Sequence, residues 1–161
     1  MAGLPDIAVE YDLPPEAEAW RQTAYRFAHD VLAPTVQEAD RRKTMHPSIV
    51  PGLGAAGLIG ASLAKDVGGG GASTLAACAI AEEIGAVDGS ARGFLAVQGG
   101  LVLCSLTTFG TDEQRARWVA PLVDGHAVGA CGLTEPEAGS DLGGMRTTIE
   151  EDGDEVVING E

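Results

Sequence analysis

Ala130-Cys131-Gly132-Leu133-Thr134-Glu135-Pro136-Glu137-Ala138-Gly139-Ser140-Asp141-Leu142-Gly143-Gly144 concentrates more residues of defined chemical use than any other stretch of the chain. Apolar residues from Ala127 to Leu133 read as a short buried strand, and Thr134 to Gly144 reads as turn chemistry, with a Glu-Pro step and several glycines. Glycines at 139, 143 and 144 would let the backbone take positive φ and approach a ligand closely. Thr134 and Ser140 add hydroxyls beside backbone N–H groups that can face anionic oxygen, which suits a flat, phosphorylated cofactor.

At these residues the chain resembles the acyl-CoA dehydrogenase family, whose signature is Gly-Leu-Thr-Glu-Pro, two variable residues, then Gly-Ser-Asp. Gly132 to Pro136 and Gly139 to Asp141 match it, and the likeness runs from about Pro14 to Glu161. It is strongest toward the glutaryl-CoA dehydrogenase-like branch and its bacterial relatives. The resemblance implies FAD as cofactor. Cys131, Leu133 and Thr134 would lie along the flavin ring, with Thr134 hydrogen-bonded to its pyrimidine edge, and Gly139 and Ser140 would reach the pyrophosphate and the CoA side of the substrate. It also implies α,β-dehydrogenation of an acyl-CoA or acyl-carrier-protein thioester in fatty acid or amino acid catabolism, reoxidation by an electron-transfer flavoprotein, and a homo-oligomer when complete.

Working outward, composition sets the class. With 45% hydrophobic but only 4% aromatic residues, a core would rest on Ala, Val, Leu and Ile, with Trp20, Trp118 and the phenylalanines as isolated fillers, a composition suited to helices. Residues 111–161 hold 12 Asp or Glu against Arg115, Arg117 and Arg146, a balance of −9 out of a total of −14. Such a surface repels phosphate backbones, so nucleic acid is not an expected partner. Cys78, Cys104 and Cys131 lack paired spacing and read as reduced core thiols, which with the absence of a signal-like start predicts a cytoplasmic protein. No run is expected to reach the ~18 apolar residues of a membrane span. His29 and His46 have no partner at metal-ligand spacing, so no metal site is expected.

Residues 1–13 read as a loose lead-in. Pro14-Pro15-Glu16 starts a helix whose apolar face is Trp20, Tyr25 or Ala24, Phe27, Ala28, Val31 and Leu32, with a kink or split at Pro34. His46-Pro47 begins a second helical piece. Gly52-Leu53-Gly54-Ala55-Ala56-Gly57 matches the dinucleotide fingerprint literally, but Pro51 replaces the required strand and Ala76-Ala77 stand where the acid should be. It reads instead as a helix of small residues packed tightly on a neighbour. Gly68 to Gly71 lacks a following Lys-Ser or Lys-Thr and reads as a connector. Ser73 caps a third helix, with Ala76, Ala77, Ile80 and Ile84 on its apolar face, that Gly85 should end; Glu82 and Glu83 read as a solvated edge. Ser90 to Phe109 is apolar enough for a buried helix interrupted at Gly99-Gly100, and Thr111-Asp112-Glu113-Gln114 is a capping box opening a helix that ends by Gly125. Strands are expected at Val128–Leu133, 146–150 and 155–158, with a turn at Asp152-Gly153-Asp154.

The expected fold is therefore mainly α: a helical acyl-CoA dehydrogenase-type N-terminal domain over 14–125, then, over 126–161, the first strands of a β domain that three strands cannot close into a barrel. By resemblance the β domain continues past Glu161, a helical bundle follows, and the glutamate that removes the α-proton lies there. No residue of this chain is then the catalytic base, and the chain alone would be inactive. The rival reading is a non-catalytic helical module that packs on a partner. Arg92 is the one substrate candidate outside the loop: by resemblance it matches the arginine with which glutaryl-CoA dehydrogenases hold a distal carboxylate, although Ala96 stands where that branch has a serine. The alternative places Arg92 at an exposed first turn or paired with Asp88.

Overall fold

The computed structural model describes residues 12–161, so most of the lead-in expected over 1–13 lies outside the described residues. The described residues divide into two compact units, one ending at Ala130 and the other Cys131–Glu161.

Among the described residues the regular elements of the first unit are all helices. Helix α1 (Pro15–Phe27) begins after Pro14, continues as a π-helical turn (Ala28–Leu32) and then as α2 (Ala33–Arg42). The widened turn sits just before Pro34, where the expected kink falls: the Ala33 N–H reaches back to Ala28, and Pro34 has no N–H to give. Of the two alternatives on the apolar face, Ala24 is buried and Tyr25 is 44% exposed, its ring centroid 4.2 Å from that of His29 with the two planes tilted by 40°.

Helix α4 (Thr74–Val87) packs on α1. Ser73 caps it by accepting the Ala76 N–H at 3.2 Å, and Glu16 of α1 accepts the Ser73 N–H and hydroxyl at 3.3 and 3.1 Å. Arg21 of α1 bridges Glu18 at 2.7 Å and Glu83 of α4 at 2.6 Å. Hydrogen bonds from Arg21 and then Gln22 hold the Glu18 carboxyl down to about 2. Glu83 is therefore an inter-helix partner, and only Glu82 remains the solvated edge that was expected of both. Helix α4 also runs past Gly85, where a stop was expected, and the Arg92 stem lies over that glycine: a Cβ there would come 3.2 Å from Arg92 Cδ.

Helix α3 (Ile49–Ala55) contains the false fingerprint, and its glycines serve packing as expected. A Cβ on Gly54 would stand 2.8 Å from the Gly125 nitrogen and closer still to the Asp124 carbonyl, and one on Gly52 would stand 3.0 Å from the Phe27 ring. The Gly68–Gly71 connector takes positive φ at both ends, 89° and 68°, and Gly70 allows the Trp20 ring to lie against it. Leu32, Ile49, Leu53, Ile84 and Leu103 are the large apolar side chains at the centre of the core.

Helix α5 (Gly89–Leu95), a π-helical stretch (Ala96–Leu103) and α6 (Cys104–Phe109) form one continuous helical rod. It departs from expectation in three respects. Gly99-Gly100 does not break it; the glycines sit inside the π-helical stretch. The rod is also largely unburied within the unit, with Val97 and Leu101 about two-fifths exposed and Phe109 85% exposed. At 21 residues it is long and apolar enough to cross a membrane, contrary to the expectation that no run would be. Helix α7 (Asp112–Val123) opens on the expected capping box, in which the Thr111 hydroxyl accepts the Gln114 N–H at 3.2 Å and the Gln114 side chain accepts the Thr111 N–H at 2.8 Å. It ends at Gly125, φ 71°. Trp118 is no core filler: it is 43% exposed, with the Arg117 guanidinium 4.8 Å over its ring.

The second unit is a loop followed by a two-stranded antiparallel hairpin, β1 (Thr148–Asp152) and β2 (Glu155–Asn159), in register from Thr148 opposite Asn159 to Asp152 opposite Glu155. Gly153 at φ 66° makes the tight turn, as the Asp-Gly-Asp sequence requires. No strand forms at Val128–Leu133: among the described residues the segment has no ladder partner, and Val128 is 64% exposed. An apolar run becomes a strand only when a second chain segment supplies the hydrogen bonds.

Candidate functional site

The loop 131–147 is organised by one side chain that sequence reading treated only as a motif letter. Glu135 and Ala138 exchange backbone hydrogen bonds at 3.0 and 3.2 Å, closing a tight turn over Pro136-Glu137 and burying Ala138. The Glu135 carboxylate then accepts the Arg146 N–H at 2.7 Å, the Thr147 N–H at 2.9 Å and the Thr147 hydroxyl. Arg146 also pairs with Glu137. These donors, the Arg146 N–H foremost, pull the Glu135 carboxyl below the ordinary glutamate range. The acid thus ties the start of the loop to its end, next to the hairpin. Gly160 completes the fit, since a side chain there would collide with Thr147. The available signal was an acidic residue before a proline, followed eleven and twelve positions later by residues with free N–H groups; nothing in that spacing distinguishes it from a surface acid.

With the loop so fixed, Cys131, Leu133, Thr134, Gly139 and Ser140 are all exposed on the second unit. Neither the Thr134 nor the Ser140 hydroxyl makes a hydrogen bond within the protein among the described residues, nor do the N–H groups of Thr134, Gly139 and Ser140. A Cβ built on Gly132 or Gly139 would meet nothing within 4 Å. The loop therefore offers unspent donors and hydroxyls on an open face, which fits a flavin and its phosphates. The glycines achieve this by lacking bulk and not by unusual torsions: none of Gly139, Gly143 and Gly144 has positive φ, contrary to expectation. Gly143 and Gly144 instead form a 3₁₀ turn with Leu142, under the Asp141 carboxylate.

Arg92 belongs to the first unit. Of the alternative reading one half holds and one does not: Arg92 is exposed near the start of α5, but Asp88 is not its partner, because Asp88 caps that helix, accepting the Ser90 N–H at 2.7 Å and the Ala91 N–H at 3.4 Å. The Arg92 stem crosses Gly85, and the residue lines a cavity of about 340 Å³ with Ile59, Ala77, Ile80, Gly99 and Cys104. Among the described residues no carboxylate lies within salt-bridge distance of it. Cys78, Cys104 and Cys131, expected in the core, are all exposed free thiols; each sits on a helix face or loop that its own unit leaves uncovered. Among the described residues no cluster of three metal-ligating side chains occurs.

Residues 14–126 match the model of the acyl-CoA dehydrogenase N-terminal domain. The chain belongs to the acyl-CoA dehydrogenase family. A probable acyl-CoA dehydrogenase, YngJ of Bacillus subtilis, is 35% identical over 153 residues, 95% of this chain and 40% of its own length. A glutaryl-CoA dehydrogenase from Mycobacterium smegmatis, solved in complex with FADH2, superposes with a TM-score of 0.87 at 31% identity, over 92% of this chain and 38% of its own. A chain of the electron transferring flavoprotein structure from Acidaminococcus fermentans gives 0.86 at 33% identity, over 94% of this chain and 40% of its own. This acyl-CoA dehydrogenase chain thus spans about 40% of the length of the curated relatives it matches.

Proposed function

We propose that the protein serves flavin-dependent α,β-dehydrogenation of an acyl thioester, with Cys131, Leu133, Thr134, Gly139 and Ser140 as the chain's contribution to the FAD site. The observation that carries this is the loop itself: Glu135 spends its carboxylate on holding the turn, leaving the Thr134 and Ser140 hydroxyls and neighbouring N–H groups exposed and unpaired beside side-chain-free glycines. Bound flavin would supply the hydride acceptor that no amino acid side chain provides. Thr134 would donate to a polar ring edge, and Gly139-Ser140 would meet phosphate oxygens with backbone N–H and hydroxyl. Family membership and a relative solved with FADH2 support the cofactor.

Arg92 and Ser140 are the proposed substrate contacts. Arg92 stands at an apolar cavity with its guanidinium unspent, an arrangement that suits an acyl group ending in a carboxylate. No side chain of this chain is assigned as the base, so the chain alone is proposed to be inactive. Reoxidation by an electron-transfer flavoprotein, CoA or a carrier protein as thioester carrier, homo-oligomer formation and a cytoplasmic location complete the proposal; the match to the Acidaminococcus fermentans chain supports the first. Titration of FAD into the chain, followed by flavin fluorescence, tests the reading. Binding weaker than micromolar is expected, because one loop supplies few contacts against the fixed cost of capture; sub-micromolar binding would show that this loop suffices, and no binding at millimolar FAD would remove the assignment.

A further inference from the structure

We infer that Gln98 is a positioning residue for the cofactor loop, fixing the backbone at Gly129 from which the chain leaves the helical unit; the inference rests on the flavin reading of residues 131–140. Gln98 is the buried polar side chain of the described core, 1% exposed, inside the π-helical stretch Ala96–Leu103. Its Oε1 accepts the Gly129 N–H at 3.1 Å across 31 positions of sequence. Its Nε2 is buried with no partner among the described residues. The orientation follows from the partner: Gly129 offers a donor, so the carboxamide must turn its oxygen toward it and strand its own donor.

That stranded donor shows what the residue is for. Methionine would fill nearly the same space with no unpaired polar group, so packing alone disfavours glutamine here. What glutamine adds is an acceptor for Gly129, the single one among the described residues. The contact is also sterically matched, since any side chain on Gly129 would run into Val102, which comes from the same π-helical stretch. Four residues earlier the segment is held again: Gly125, φ 71°, lies so close to Val50 that a Cβ would stand 3.1 Å from Pro51 Cα. The stretch 125–129 is therefore seated at both ends, and Ala130 alone separates the second seat from Cys131.

Amide exchange on the ¹⁵N-labelled chain, with FAD-induced shifts recorded in parallel, tests this. Gln98→Met should accelerate exchange at Gly129 roughly tenfold while leaving Ile80 and Ile84 as in the wild type. The same variant should weaken the FAD-induced shifts at Thr134, Gly139 and Ser140. Gln98→Glu, which keeps an acceptor for Gly129, should restore both; should its buried carboxylate prevent folding, Gly129→Ala serves instead and should reproduce the Gln98→Met pattern by displacing Val102. Unchanged Gly129 exchange in Gln98→Met, or an equal rise at Ile80 and Ile84, would overturn the inference, as would loss of Gly129 protection with FAD shifts intact. If the wild type shows no FAD shifts in the loop, the flavin reading fails, and the positioning role for that loop fails with it, whereas the exchange data still show separately whether Gln98 clamps Gly129.

Discussion

Gly54→Ala separates the two readings of Gly52-Leu53-Gly54-Ala55-Ala56-Gly57. In the helical unit a Cβ at 54 would lie 2.8 Å from the Gly125 nitrogen and closer to the Asp124 carbonyl. Both obstacles are backbone at the end of α7, so no rotamer change relieves them. Overpacking of this kind costs about 1–3 kcal/mol, and rigid obstacles place it at the upper end. Alanine recovers at most about 1 kcal/mol of helix propensity, leaving a net loss of about 2 kcal/mol. For a chain of this size that is a fall of roughly 4–8 °C in Tm. Gly93→Ala is the control: it lies in α5 with nothing within 4 Å of the added Cβ, so propensity acts alone and Tm should rise by roughly 2–4 °C. Thermal unfolding followed by circular dichroism measures both. A Gly54→Ala protein as stable as the wild type would refute the packing account, and loss of nicotinamide dinucleotide binding without loss of stability would reinstate the fingerprint.

The remaining predictions concern the two candidate sites. Glu135 has a carboxyl held below its ordinary value by Arg146 and Thr147, so its tie is fully present above about pH 4.3 and is lost as pH falls through the lowered value; the Arg146 and Thr147 amide resonances should move in that window, and in Glu135→Gln they should not titrate. Thr134→Val should keep the fold and cost about 1–3 kcal/mol of FAD binding, read by the same fluorescence titration; unchanged affinity would make Thr134 an ordinary loop residue. In a protein carrying the remaining family domains, Arg92→Met should abolish any preference for dicarboxylic over plain acyl thioesters; a panel showing equal oxidation of both by the unmutated protein would dismiss the carboxylate role.

Much of the helical unit, and the hairpin of the second, was legible because the signals are local. The Thr111–Gln114 box, the Ser73 cap, the Asp-Gly-Asp turn and the Pro34 disturbance each depend on residues a few positions apart, and each formed. What was misread depends on distant partners. Gly85 looked like a helix stop because Arg92 was needed to explain it, Glu83 looked solvated because Arg21 lies 62 positions away, and the thiols looked buried because an apolar neighbourhood in sequence does not say which face is covered. Val128–Leu133 has the pattern of a strand but no partner to make it one. In the loop the motif residues were visible while the reason they stand open was not: Glu135 reaches Arg146 and Thr147, and Gln98 reaches Gly129, across spacings that carry no periodic signal.

The central claim is that residues 131–140 meet the flavin and that the glycine-rich stretches before them do not. Chemical-shift mapping of FAD on the labelled chain tests it most directly. Weak, saturable shifts should appear at Gly132, Thr134, Gly139 and Ser140, with Gly52–Gly57 and Gly68–Gly71 unmoved; shifts confined to those earlier glycines, or none in the loop at millimolar FAD, would contradict it.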